Sequence, residues 1–159
     1  LALPAIQTAV EEFEGVPHRM EFVREVNNIT WVNDSIATAP ERTIAAIESF
    51  KEPLVLLLGG RDKNLPWDKL ATLVRSKVDR VILFGEAADL INEALGPRKS
   101  GQHLKSVVVV KDLAEALKTA RIQAQEGDVV LLSPGATSYD AFKDFEERGQ
   151  FFRDWVNKL

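Results

Sequence analysis

The stretch that decides the fold is Asp128-Val129-Val130-Leu131-Leu132-Ser133-Pro134-Gly135-Ala136-Thr137-Ser138-Tyr139-Asp140-Ala141-Phe142-Lys143-Asp144-Phe145-Glu146-Glu147-Arg148-Gly149. Its apolar run, Val129 to Leu132, is too short for a helix and bears the β-branched residues of a buried strand. A turn of small residues follows, and then Phe142, Phe145, Phe152 and Val156 recur at helical spacing. Strand, loop and helix follow one another, with Ser138 placed as the N-cap and Asp140 in the first turn, where its charge suits the helix dipole. Backbone N–H groups at such a helix start, together with the Ser133, Thr137 and Ser138 hydroxyls, suit a carboxylate or phosphate. The same small residues equally serve a tight turn that binds nothing.

Working outward, the pattern repeats. Leu54 to Leu58 is a continuous apolar run, as in a strand covered on both faces. Helix Trp67 to Ser76, strand Arg80 to Phe84, helix Glu86 to Leu95, strand Ser106 to Val110 and helix Leu113 to Gln125 lead back to the opening strand. Before them lie a helix within Ala2 to Phe13, a strand over Met20 to Val26 in which Met20, Phe22 and Val26 form the apolar alternation against Glu21, Arg24 and Glu25, and an Asn27-Asn28 turn. A return strand Ile29 to Asn33 and a helix opened by Pro40 follow. Gly96 to Lys105, rich in Gly, Pro and basic residues, reads as an exposed loop. The class is α/β, Rossmann-like: a mostly parallel sheet with helices on both faces and an N-terminal antiparallel hairpin. In such sheets ligands bind beyond the carboxyl ends of the strands, so Asn33 to Ala39, Gly59 to Asn64 and Ser133 to Ser138 are expected to share one rim.

The 159 residues fit a single domain spanning 1–159, and 45% hydrophobic with 28% charged residues describes a globular protein. Twenty Lys and Arg against 24 Asp and Glu give a net charge of -4, with no basic excess for nucleic acid or an anionic membrane. There is no cysteine, hence no disulfide framework or thiolate chemistry, and no apolar run approaches a membrane span. The cytoplasm is the expected location, and a start at Leu1 inside a helical pattern suggests part of a longer protein. His18 and His103 lack companions at metal spacing, and no nucleophilic triad is evident, so neither a metal site nor catalytic residues are expected in this chain. Gly59-Gly60-Arg61-Asp62-Lys63 offers close backbone approach and two cations to an anion, or else two solvated loop cations. No Gly-Lys-Ser/Thr loop exists to cradle a nucleoside triphosphate.

Taken in order, Pro17-His18-Arg19, Asn33-Asp34-Ser35-x-Ala37-Thr38, Leu58-Gly59-Gly60-x-x-Lys63, Leu132-Ser133-Pro134 and Phe142-Lys143-x-Phe145-Glu146-Glu147-Arg148-Gly149 resemble the C-terminal domain of Mur ligases, and among these the D-glutamate-adding kind. The resemblance implies a third domain that binds the incoming amino acid and closes over ATP. The UDP-binding domain and the central domain, which holds the P-loop and magnesium, lie outside this chain. ATP and Mg2+ would serve the full-length enzyme, with none bound by this domain alone, and the whole would form an amide through an acyl phosphate in peptidoglycan precursor synthesis. Thr38, Lys63, Ser138 and the backbone near Tyr139 and Phe145 would bind D-glutamate, and Arg19 and Asp34 the nucleotide ATP or ADP. The protein partners would be the other domains of the same enzyme, in a monomer. Ile36 stands where such ligases usually carry Lys, Ala39 where Asn is usual, and Gly135-Ala136-Thr137 where Ala-Cys-Ala is common. Another ligase of the same superfamily, such as a folylpolyglutamate synthase, or a non-catalytic Rossmann-like module, are the alternative readings.

Overall fold

A computed structural model describes residues 15–159, and the helix expected within Ala2 to Phe13 lies outside them. Six strands form one sheet in the order β1-β2-β6-β3-β4-β5: β1 Glu21–Val26, β2 Ile29–Asn33, β3 Leu54–Gly59, β4 Arg80–Phe84, β5 Ser106–Val109 and β6 Val129–Gly135. Only the β1–β2 hairpin is antiparallel; β2, β6, β3, β4 and β5 run parallel. The helices are α1 Pro40–Glu48, α2 Asp68–Lys77, α3 Ala88–Leu95, α4 Leu113–Gln123 and α5 Phe145–Val156.

The side-chain alternation of the strands divides the core in two. Val32, Leu54, Leu56, Leu58, Val81, Leu83, Val129 and Leu131 pack with α1, α2 and α3 on one face. Trp31, Val55, Leu57, Ile82, Phe84, Val130 and Leu132 pack with α4 and α5 on the other. Strand β3 is buried at every position, which explains its unbroken apolar sequence. Because β6 inserts between β2 and β3, the carboxyl ends of these three central strands lie side by side, where the strand order reverses.

Two expectations are corrected. Phe22 faces solvent at 62% exposure: it pairs with Val32 on the edge strand, where no neighbouring strand lies beyond it, while Val23, at the register shift before Arg24, packs against the Trp31 cluster. Ser138 is not an N-cap: α5 begins seven residues later, capped by Asp144, whose carboxylate accepts from the Glu147 N–H at 2.8 Å. The Glu147 carboxylate accepts in turn from the Lys143 N–H at 2.6 Å. The same pair of bonds opens α4, with Asp112 accepting from the Glu115 N–H and Glu115 from the Lys111 N–H, one residue before the cap. Lys-Asp-x-x-Glu, present twice in the sequence, outcompeted a serine that had only its position in favour. The Ser138 carbonyl closes a turn instead, accepting from the Ala141 and Phe142 N–H groups, and Asp140 accepts from the Glu86 N–H rather than facing a helix start.

The Asn27-Asn28 turn is as read, with φ of 53° and 59°, the left-handed pair that a two-residue hairpin requires. Asn28→Val is therefore expected to destabilise the fold by about 1–2 kcal/mol, the cost of a bulky side chain in that region, while Asn28→Gly stays near neutral; urea unfolding of the two variants checks this.

Candidate functional site

The loops leaving β2, β3 and β6 are joined to one another by hydrogen bonds, as the expected common rim requires. The Asp34 N–H donates to the Leu132 carbonyl at 2.7 Å and the Gly135 N–H to the Ala37 carbonyl at 2.8 Å, fixing the β2 loop to β6. Arg61 and Thr137 exchange backbone bonds of 2.8 and 3.0 Å, with the Thr137 hydroxyl adding 2.9 Å to the Arg61 carbonyl, which fixes the β3 loop to the β6 loop. Gly59 and Gly60 allow these close approaches: both have positive φ, and a Cβ would strike the Phe84 carbonyl at Gly59 or the Thr137 carbonyl at Gly60. Their closeness thus serves neighbouring backbone.

Arg148, to which the sequence reading gave no role of its own, holds the rim from beneath. Its side chain is wholly buried, and the guanidinium donates to the Ser35 hydroxyl at 3.0 Å, the Ser35 carbonyl at 2.9 Å and the Ala136 carbonyl at 3.2 and 3.1 Å. The Ser35 hydroxyl passes the connection on to the Phe145 carbonyl at 2.8 Å. All these acceptors are neutral, and burial pushes the Arg148 pKa down to about 10, still charged at neutral pH. One signal in the sequence marks it: Phe145, Arg148, Phe152 and Val156 form a single helical stripe, so the charge lies on the core face.

Asn33 anchors the approach to Arg19. Its amide donates to His18 Nδ1 at 2.9 Å, to the Glu21 carboxylate at 3.1 Å and to the Gly149 carbonyl at 3.2 Å. With the Asn33 amide nitrogen facing Nδ1, burial lowers the His18 pKa, opposed by the Glu21 charge. The ring lies edge-on to Phe145 and so close over Gly149 that no Cβ fits there. His18 and Met20 both have positive φ, at 64° and 46°, so Arg19 sits between two constrained residues. Met20 is secured by its N–H donating to Asp34 at 3.1 Å.

Of the nucleotide residues expected from sequence, Arg19 and Asp34 line one open cleft of about 190 Å³, together with Met20, Ile36, Arg42 and Ala46. Asp34 is 5% exposed, accepts from Met20 and, at 2.8 Å, from the Ser133 hydroxyl, and burial raises its pKa, offset by those bonds and by Arg19 and Arg42. Thr38, Lys63 and Ser138 occupy the three joined loops. The Thr38 and Ser138 hydroxyls make no hydrogen bond, and Lys63 meets no carboxylate, among the described residues. Tyr139 is exposed beside Ser138, and Phe145 begins α5 half-buried. Arg61, the other cation of its loop, is spent on a two-bond pair with Glu86 at 2.8 and 2.9 Å. Among the described residues no cluster of His, Cys, Asp and Glu could hold a metal ion, and no helix is long and apolar enough to cross a membrane.

Residues 18–135 match the family model described as Mur ligase, glutamate ligase domain. The chain is 43% identical over 157 residues to the UDP-N-acetylmuramoylalanine–D-glutamate ligase of Symbiobacterium thermophilum, covering 99% of this chain and 34% of that protein. It is 42% identical to the ligase of the same name from Acetivibrio thermocellus, covering 97% and 34%. The chain thus spans about a third of the length of these relatives. Its fold is similar to that of the bifunctional folylpolyglutamate synthase/dihydrofolate synthase of Yersinia pestis, with a TM-score of 0.69 at 17% identity over 98% of this chain and 35% of that one.

Two outcomes follow from the buried polar groups. Arg148→Met leaves the Ser35 and Ala136 carbonyls buried without donors, at roughly 1–3 kcal/mol each, and is expected to cost about 2–4 kcal/mol in urea unfolding, with Arg148→Lys in between. For His18, a folded pKa below the ordinary 6.5 means that the unfolded chain binds the proton more tightly. Its contribution is complete above pH 6.5 and declines as pH falls towards the folded value. Unfolding free energy is expected to fall between pH 7 and pH 5.5, and in His18→Asn, which keeps a residue tolerant of positive φ, that slope should flatten.

Proposed function

The chain belongs to the Mur ligase family, in its glutamate ligase domain, and on that premise we propose that it is the C-terminal, amino-acid-binding and lid domain of an ATP-dependent ligase joining D-glutamate to UDP-N-acetylmuramoyl-L-alanine. In the proposed reaction ATP phosphorylates the alanyl carboxylate, the D-glutamate nitrogen attacks that acyl phosphate, and phosphate leaves as the amide forms and the nitrogen sheds its proton. The phosphate loop and Mg2+ belong to the rest of the enzyme. This chain's part is to hold the amino acid and one side of the nucleotide.

The observation that carries this reading is the Lys63 ammonium, which meets no carboxylate among the described residues, on a rim whose three loops are fastened to one another. A dicarboxylate calls for a cation with hydroxyl and backbone donors around it. Lys63 supplies the charge, the uncommitted Thr38 and Ser138 hydroxyls supply donors, and the backbone around Tyr139 and Phe145 completes the set. Arg61, neutralised by Glu86, leaves Lys63 as the cation of that loop. On the other side, the Arg19 and Asp34 cleft combines a guanidinium for phosphate with a carboxylate whose remaining lone pairs can accept from ribose hydroxyls.

The test is a D-glutamate titration of the full-length enzyme. A charge-assisted hydrogen bond is worth roughly 1.5–3 kcal/mol, so Lys63→Ala is expected to raise the half-saturating D-glutamate concentration about ten- to a hundredfold. An exposed rim lysine shifts stability by only about 0.5 kcal/mol, so the melting temperature should hold. Unchanged half-saturation would remove Lys63 from the site, and a preference for another amino acid would move the enzyme elsewhere in the superfamily. The chain alone is expected to release no phosphate from ATP, and protein-dependent turnover by the pure domain would refute the division of labour.

A further inference from the structure

The cleft that holds Arg19 and Asp34 has a second wall, formed by one face of α1. Arg42, Ala45, Ala46 and Ser49 follow one another along that face at helical spacing and all line the cleft. Arg42 is solvent-accessible, stands in the first turn of α1, and takes no carboxylate partner among the described residues; the same holds for Arg19. The small residues behind Arg42 keep the trough open, and Met20, Ile36 and Ala37 give it an apolar floor. Ile36 brings no charge, so the cations of this cleft are Arg19 and Arg42, placed around a buried carboxylate.

We infer that Arg42 is a nucleotide-positioning residue, a second guanidinium that shares with Arg19 the phosphate side of the nucleotide whose ribose meets Asp34. The inference rests on the reading above for the identity of the nucleotide. Two forks with planar donors around one anion give bidentate recognition that a single lysine cannot supply. Their mutual repulsion favours an anion between them, and Asp34, engaged by the Met20 N–H and the Ser133 hydroxyl, forms an ion pair with neither among the described residues. The carboxylate of Asp34 tempers this repulsion from below, because burial leaves its charge poorly screened.

The experiment uses the full-length enzyme. ADP affinity is measured by calorimetry, and ATP and D-glutamate half-saturation by phosphate release, for Arg42→Ala, Arg42→Glu and the double variant Arg42→Ala with Ile36→Lys. ADP affinity is expected to fall roughly tenfold in Arg42→Ala and further in Arg42→Glu, with ATP half-saturation rising in step and D-glutamate half-saturation within twofold of the parent. Ile36→Lys places a new cation in the same cleft and should recover part of the loss. Melting temperatures, unchanged for an exposed first-turn arginine, separate this from unfolding. Parent-like ADP affinity in Arg42→Glu overturns the inference, as does a loss confined to D-glutamate. Absence of D-glutamate ligation by the parent enzyme would refute the proposed reaction while leaving the ADP titration to judge Arg42.

Discussion

A guanidinium bound only to neutral acceptors is the constraint on which the rest of the site depends. Arg148 reaches from α5 beneath the β2 and β6 loops and satisfies the Ser35 and Ala136 carbonyls, which point into protein where water cannot reach them. Burying a charge is costly, and it persists here because each guanidinium nitrogen finds an oxygen and the Asp140 charge partly offsets the loss of water. Gly60 must lack a side chain for the guanidinium and the Thr137 carbonyl to pass, so the β3 loop is tied into the same arrangement. Loops that would otherwise be the loosest parts of the molecule thereby become a fixed platform, and side chains standing on them keep their places relative to one another.

On that platform the charges are sorted. Arg61 is cancelled by Glu86, Arg153 meets Glu21 at 2.7 Å, and Arg80 meets Asp128 at 3.0 Å at the opposite end of the sheet. Among the described residues Lys63, Arg19 and Arg42 are cations of this rim that meet no carboxylate. A protein of net charge -4 attracts anions only through such local departures from its overall balance.

Most of the architecture was legible in the sequence. Apolar runs of four to six residues alternating with helical stripes dictate a parallel sheet, and Asn27-Asn28 dictates its hairpin, because both signals are local. The site was legible as loops and as a family resemblance, but its internal economy was not. Whether Arg61 or Lys63 stays free depends on Glu86, 25 residues away, and the burial of Arg148 depends on Ser35, 113 residues away. Ser138 misled because a capping residue is recognised by position, whereas Asp144 wins by accepting from the Glu147 N–H while the Glu147 carboxylate accepts from the Lys143 N–H. The exposure of Phe22 likewise follows from the place of β1 at the edge of the sheet, which β1 itself does not announce.

The central claim is that this rim receives D-glutamate, and the amino-acid dependence of the full-length enzyme tests it most directly. With UDP-N-acetylmuramoyl-L-alanine and ATP supplied, phosphate release would be followed for D-glutamate, L-glutamate, L-lysine and meso-diaminopimelate in turn. The account predicts release with D-glutamate and only background with L-lysine, which lacks the second carboxylate that Lys63 is proposed to meet, with L-glutamate reporting the configuration at Cα and meso-diaminopimelate the effect of a second ammonium. Turnover supported by a diamino acid, or none with D-glutamate, would contradict it.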